Sequence, residues 1–111
     1  SLKDPAIDVN GVDGDDATAL HWACLNGNGD AVDVLLENGA DPSLKDNRKW
    51  TPLFNAAHNG HEDIVELLID FGVDAHATDN NGWTALYCAA TKNHAAVVTV
   101  LLEHSVDPNI G

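Results

Sequence analysis

The 111-residue sequence has few basic residues and no methionine. Five Lys and Arg residues stand against eighteen Asp and Glu residues, which gives a formal net charge of −13 at pH 7. A chain this acidic repels a phosphate backbone and an anionic membrane surface, so we expect neither nucleic acid nor membrane as a partner. Apolar runs are far shorter than the ~20 residues that span a bilayer, and no signal peptide is evident. Because Met is absent even at position 1, we expect a processed or excised segment.

Signatures of catalysis are also missing from the sequence. None of the serines lies in a Gly-x-Ser-x-Gly context, and no Gly-rich loop ends in Gly-Lys-Ser/Thr. We therefore expect no enzymatic activity in this segment and no cofactor.

Six histidines and an acidic start suggest metal binding, but neither pattern fits a site. His58 and His61 are three residues apart in HNGH, yet Gly60 breaks the helix between them and no third ligand is adjacent. The stretch DVNGVDGDD fails as a calcium loop because Val12 occupies a ligand position. We expect no metal, and we interpret the histidines as surface and turn-capping residues.

The sequence repeats itself at a spacing of 33 residues. The phrases ATALHWAC, WTPLFNAA and WTALYCAA place Thr18, Thr51 and Thr84 at this spacing. An Asp opens each copy, and we define repeat 1 as residues 13–45, repeat 2 as 46–78 and repeat 3 as 79–111, with 1–12 as the tail of a preceding repeat. A fixed period of this length is the signature of a repeat architecture.

Each repeat predicts an inner helix that begins at the shared Thr. The Thr hydroxyl is a good N-cap, and Pro52 suits the first helical position of repeat 2. Gly27, Gly60 and Asn93 are residue types that tolerate the left-handed backbone at a helix end. The inner helices are therefore expected to run about nine residues.

A second, outer helix follows in each repeat. Its apolar residues recur at helical spacing with acids between them, and it ends at Gly39, Gly72 or Ser105. Two helices of ~9 residues are marginal alone, so the repeats must stack to bury their apolar faces. The pairs Ala56-Ala57 and Ala89-Ala90 would let neighbouring inner helices approach closely. We predict an all-α solenoid, in which loops rich in Asp, Asn, Gly and Pro protrude between repeats.

The motifs of this chain resemble those of the ankyrin repeat family. TALHWA, TPLFNA and TALYCA match the family's Thr-Pro-Leu-His-x-Ala, and LLENGAD matches its Gly-Ala-Asp loop. The resemblance covers residues 13–111 and implies one domain over 1–111, with stacked helix-turn-helix repeats and protruding β-hairpin or loop fingers. Only His21 keeps the motif His, and Asp16 and Lys49 replace a Gly that survives as Gly82.

The repeat map predicts that Cys24 and Cys88 are not bridged. They lie about two repeats apart, hence ~16–20 Å if helices pack at ~8–10 Å, and a disulfide needs Cα atoms within ~7 Å. We expect buried, reduced thiols and an intracellular location, cytoplasmic or nuclear.

The resemblance implies that a partner binds the concave face, formed by the finger tips and the exposed side of the inner helices. In repeat 1 these positions are Asp15, Ala17, Leu25 and Asn26. From the end of repeat 1 onward the candidate partner-binding residues are Lys45, Asn47, Arg48, Trp50, His58, Asn59, Asn80, Asn81, Trp83, Thr91 and Lys92.

Charge divides between the two faces of the predicted solenoid. Four of the five basic residues map to the fingers and inner helices. The outward positions of the second helices carry Asp30, Asp33, Glu37, Asp63, Glu66, Asp70 and Glu103.

The concave aromatics allow two interpretations. Trp50 and Trp83 either cover the hinge between finger and helix, or they form a hot spot with Arg48 and Lys92 for a partner that has an acidic residue beside an apolar one. Trp22 is either core filler along the inner helix or an exposed contact.

The functional prediction is a non-enzymatic, monomeric interaction module for a protein or peptide partner. The alternatives are a substrate-targeting segment of a larger multidomain protein with its catalytic domain elsewhere, and a structural spacer. We expect further repeats or domains in the parent chain. By resemblance alone, Asn10 and Asn109 are candidate sites of asparaginyl hydroxylation.

Overall fold

The structure is a computed structural model that describes residues 8–105. The described residues form six helices. They are α1 (Ala19–Asn26), α2 (Gly29–Glu37), α3 (Pro52–His58), α4 (Glu62–Phe71), α5 (Ala85–Thr91) and α6 (Ala95–Ser105).

The helices form two layers. The inner layer is the row α1, α3, α5, and the outer layer is the row α2, α4, α6, with each inner helix packed on the outer helix that follows it. The resulting body measures 45 × 25 × 25 Å. This arrangement confirms the predicted all-α solenoid, whereas the repeat boundaries and the hairpin form of the fingers stay predictions.

The starts of the inner helices differ in chemistry. The hydroxyls of Thr18 and Thr84 accept from the backbone N–H groups of His21 and Tyr87, which confirms both N-caps. The same prediction is wrong for Thr51, whose buried hydroxyl has no partner among the described residues. There the helix start is fixed by Pro52, whose ring presets the backbone angle φ.

Each of the first two inner helices ends at a residue that packs against a histidine of the next repeat. Gly27, Gly60 and Asn93 adopt positive φ values of 74°, 76° and 61°, as predicted. The rings of His61 and His94 lie so close over the two glycines that an added Cβ would come within 2.8 Å and 2.7 Å of them. These positions require glycine for both its backbone angle and its lack of a side chain.

The core lies between the two helical layers and is continuous from repeat 1 to repeat 3. Leu20, Val32, Leu53, Val65 and Leu68 are among its most deeply buried members. The inner helices approach through Ala56, Ala57 and Ala89, each with no exposed surface. Ala90 is exposed, contrary to prediction, because among the described residues no further inner helix packs beside α5.

Both cysteines are buried and unpaired, as predicted. Burial raises the pKa of the Cys24 thiol to about 12, and burial also raises the pKa of Cys88. Each thiol is therefore protonated at neutral pH and a poor nucleophile.

Candidate functional site

Each finger is a tight turn organised by the Asp that opens its repeat. Oδ1 of Asp46 accepts from the N–H groups of Arg48 and Trp50 at 2.9 and 3.0 Å. Oδ1 of Asp79 accepts from those of Asn81 and Trp83 at 2.8 and 3.0 Å. The turns hold their tips, including several candidate binding residues, in one fixed conformation.

One position in each turn has a left-handed backbone. Asp16 and Lys49 have φ of 63°, where the equivalent Gly82 has 77°. The two replacements of glycine therefore leave the turn conformation unchanged and introduce strain instead.

Neighbouring fingers are joined by backbone hydrogen bonds. The N–H of Asn47 donates to the carbonyl of Asp15 at 3.0 Å, and the N–H of Asn80 donates to that of Arg48 at 3.1 Å. The finger tips thus form a continuous row along one edge of the concave face.

Trp50 is half-buried and belongs to the framework. Its indole N–H donates to Oδ2 of Asp79 at 3.1 Å. Its ring stacks on Phe54 and lies 5.1 Å from the ring of His58, centroid to centroid. The Arg48 guanidinium lies 4.0 Å from the centroid of the same ring. These contacts fit the hinge-covering interpretation of Trp50, and its contact with a partner stays a prediction.

The Trp83 side chain is more exposed to solvent than that of Trp50. Trp83 is 39% exposed, and it packs edge-on against Tyr87, itself 54% exposed, with ring centroids 4.8 Å apart. Tyr87 occupies the repeat position of His21, whose ring contacts the following repeat, so the pair exposes aromatic surface on the side of repeat 3 that faces away from repeat 2.

Seven of the eleven candidate partner-binding residues from Lys45 onward meet in one cleft between repeats 2 and 3. This repeat 2–3 cleft has a volume of about 350 Å³. It is lined by Arg48, Trp50, His58, Asp79, Asn80, Asn81, Trp83, Cys88 and Lys92.

The remaining predicted residues lie outside this cleft. Asn59 donates its side-chain N–H to the carbonyl of Leu25 at 2.8 Å, and the Thr91 hydroxyl donates to that of Cys88 at 2.9 Å, so both stabilise the framework. Lys45 lines a separate groove with Val73.

A second cleft lies between repeats 1 and 2. This repeat 1–2 cleft has a volume of about 400 Å³. It is lined by Asp15, Ala17, His21, Trp22, Leu25, Asp46, Asn47, Arg48 and Asn55. Only some of these positions were predicted to face a partner.

Trp22 lies in the repeat 1–2 cleft and is not core filler. It is 47% exposed, and its indole N–H donates to Oδ2 of Asp13 at 2.8 Å. That bond turns the ring outward, because it ties the ring edge to the finger rather than to the helical core. The same hydrogen bond is the main cause that lowers the pKa of Asp13.

The histidines were predicted at the surface and at turns, and this is wrong for His21. His21 has no exposed surface, and its ring nitrogens lie 2.8 Å from the hydroxyl of Thr18 and 2.8 Å from the carbonyl of Trp50. His61 and His94 are half-buried, with Nε2 at 3.0 Å from the carbonyl of Leu25 and 2.8 Å from that of His58. All three rings join neighbouring repeats.

The outer helices carry the predicted acidic surface. All seven of the acidic residues assigned to outward positions are exposed on α2, α4 and α6. The concave face is mixed, because Asp46 and Asp79 lie among its basic residues.

Residues 8–105 were predicted to hold neither a metal site nor a membrane-spanning helix. No group of three or more His, Cys, Asp or Glu side chains in this part of the chain could hold a metal ion. Within the same residues, no helix is both long and apolar enough to cross a membrane.

The Asn10 side chain forms hydrogen bonds with the loop that follows α2. Its amide nitrogen donates to the carbonyl of Gly39 at 3.3 Å, and its oxygen accepts from the N–H of Asp41 at 2.8 Å. Asn109 lies outside the described residues. Hydroxylation at either position stays a prediction.

Stacked helix pairs with finger turns and a shared concave face define an α-solenoid repeat protein. Family models described as ankyrin repeats match residues 38–111 (three copies) and 3–54 (many copies). The chain therefore belongs to the ankyrin repeat family. Ankyrin repeats are generally protein–protein interaction modules, and membership points to a non-catalytic role.

Known relatives resemble part of the chain. It is 53% identical over 49 residues to human neurogenic locus notch homolog protein 1, a match that covers 44% of this chain and 2% of the relative. The same protein of Danio rerio is 51% identical over 47 residues, 42% of this chain and 2% of the relative. Potassium channel AKT1 of Oryza sativa subsp. indica is 47% identical over 45 residues, 40% of this chain and 5% of the relative. The chain thus spans a small fraction of these proteins.

Proposed function

We propose that the concave face of this chain binds a segment of a partner protein, centred on the repeat 2–3 cleft. The observation that supports this most directly is the cleft itself, where Arg48, Trp83 and Lys92 converge beside a framework tryptophan. Open, mixed polar and aromatic clefts on a rigid scaffold suit an extended protein segment.

The residue types in the cleft favour a partner with an acidic residue beside an apolar one. The Arg48 side chain is 58% exposed although it lies over Trp50 and 3.5 Å from a carboxylate oxygen of Asp46. It is therefore pre-oriented without being buried, so a partner carboxylate can reach it. Trp and Arg contribute most to binding when a partner desolvates them at the centre of an interface.

The test is affinity capture from cell lysate with three folded chains: wild type, Arg48→Glu/Trp83→Ala, and the control Asp33→Asn on the outer face. Trp83 is the better choice than Trp50, because truncating Trp50 also disrupts the framework. We expect the double variant to lose a partner that both other chains retain, with Arg48→Glu alone costing about 2 kcal/mol or more. Equal retention by all three chains would contradict the proposed site.

A second candidate is that the chain acts as a targeting segment within a longer protein. The observation that favours it is the small share of each relative that this chain spans, 2% to 5%. In this setting the module would be monomeric and intracellular, and would bring a substrate to a domain elsewhere. The full reading frame tests this, since a catalytic motif outside the present sequence would support it and its absence would remove the enzyme alternative.

A further inference from the structure

The two concave clefts are formed by largely equivalent repeat positions, but the charges of their lining residues differ. Asp15 and Leu25 in the repeat 1–2 cleft occupy the positions that Arg48 and His58 occupy in the repeat 2–3 cleft. The wall that is acidic in one cleft is thus basic in the other, and Lys92 lines only the second.

The repeat 1–2 cleft offers acceptors rather than donors. Asp15 is exposed at its rim, and Asn55, only 4% exposed, lines it with an Oδ1 that has no partner among the described residues. Trp22 adds an exposed indole wall. Arg48 lines both clefts, and the proposed function assigns its guanidinium to the partner's acidic residue.

A carboxylate, an unsatisfied amide oxygen and an aromatic face together match a cationic side chain. Arg presents five N–H donors and stacks on aromatic rings, and Lys presents three donors. A second acidic side chain would instead meet the carboxylates of Asp15 and Asp46, because Arg48 already pairs with the acid of the proposed partner.

We infer that the repeat 1–2 cleft binds an Arg or Lys of the same partner segment whose acidic residue occupies the repeat 2–3 cleft, an inference that rests on the proposed function. Adjacent inner helices pack ~8–10 Å apart, and an extended chain advances ~3.3 Å per residue. The cation and the acid are therefore about three residues apart in the partner.

The test starts with a phage-displayed library of random dodecapeptides, selected on the wild-type chain and on Asp15→Lys. A matched control, Asp33→Lys, makes the same charge change on the outer helix α2. Wild type and the control should enrich peptides with Arg or Lys about three residues from Asp or Glu. Asp15→Lys should retain selection for the acid and lose selection for the cation.

One enriched peptide is then measured in solution by fluorescence anisotropy. Asp15→Lys should weaken its binding about tenfold or more, as expected for loss of a charge-assisted contact, while Asp33→Lys changes it less than about twofold. Replacing the peptide's cation by Gln should weaken binding to wild type similarly and have little further effect on Asp15→Lys.

The outcomes separate the two proposals. Some peptides could require Arg48 and Trp83 for binding but carry no selected cation, or bind Asp15→Lys as well as wild type. Either result would overturn this inference and leave the proposed function standing. Peptides indifferent to substitutions in both clefts would overturn both.

Discussion

The indole N–H of Trp50 donates to Oδ2 of Asp79 at 3.1 Å, across the boundary between repeats 2 and 3. Asp79 in turn organises the finger of repeat 3 through its other oxygen. One carboxylate therefore couples the start of an inner helix to the shape of the next finger, and the repeat 2–3 cleft lies between them.

Trp50→Phe should lower the free energy of unfolding by about 1.5 kcal/mol, because it removes a hydrogen bond to a charged group while it keeps an aromatic ring on Phe54. Urea denaturation followed by circular dichroism measures this. The control is Trp83→Phe, whose ring packs on Tyr87 at the exposed edge of the cleft. An equal effect from both substitutions would contradict the special role of Trp50.

The stability of the chain should depend on the ionisation of Asp79 at low pH. Burial alone would raise its pKa, but hydrogen bonds from the N–H groups of Trp83 and Asn81 and the indole of Trp50 outweigh burial, and the pKa lies below 3.8. Because the folded value is the lower one, this stabilisation is complete above the unfolded pKa and is lost as pH falls through the folded pKa.

Asp79→Asn should therefore be less stable than wild type at pH 7 and lose less stability between pH 5 and the acid limit. Urea midpoints across this range measure the difference. Asp33→Asn, exposed in the middle of α2, makes the same charge change without removing these hydrogen bonds and should alter the wild-type curve less. An Asp79→Asn curve parallel to wild type would refute the assignment.

His94→Ala should destabilise the fold by about 1–2 kcal/mol, since it leaves the carbonyl of His58 without its partner and opens space over Gly60. His76→Ala, in an exposed loop, should change stability by less than about 0.5 kcal/mol. Thermal unfolding of the two variants measures the contrast. Near-equal melting temperatures would show that the ring does not join repeats 2 and 3 energetically.

Lys49→Gly should stabilise the chain by up to about 1 kcal/mol, because it relieves a left-handed backbone at a position where Gly82 stands in repeat 3. The mirror substitution Gly82→Ala should destabilise it by a similar amount. Urea denaturation of both variants tests the pair. A destabilising Lys49→Gly would show that the side chain contributes more than the strain costs.

Features that depend on a few neighbouring residues could be predicted from the sequence. The caps at Thr18 and Thr84 and the left-handed ends at Gly27, Gly60 and Asn93 are of this kind, because local backbone chemistry decides them. The 33-residue period then fixed the order of helices and hence the solenoid.

Side-chain roles across the repeat boundary were harder to predict. Trp22, Asn55 and Cys88 occupy one repeat position, yet the first is exposed and the other two are buried. The Trp22 indole bonds to Asp13 within its own repeat, whereas the Asn55 amide donates to the carbonyl of His21 in the preceding repeat. The surface position predicted for His21 was wrong because its partner carbonyl belongs to Trp50 in the next repeat.

The most direct measurement is hydroxyl-radical footprinting by mass spectrometry of the wild-type chain with and without a captured partner. Trp22 and Trp83 are exposed and line the two concave clefts, and Phe71, 54% exposed at the end of outer helix α4, is an aromatic internal control. Concave-face binding predicts that oxidation of Trp83 falls in the complex while that of Phe71 is unchanged. Protection of Phe71 with undiminished oxidation of Trp83 would place the partner on the outer face and contradict the proposed function.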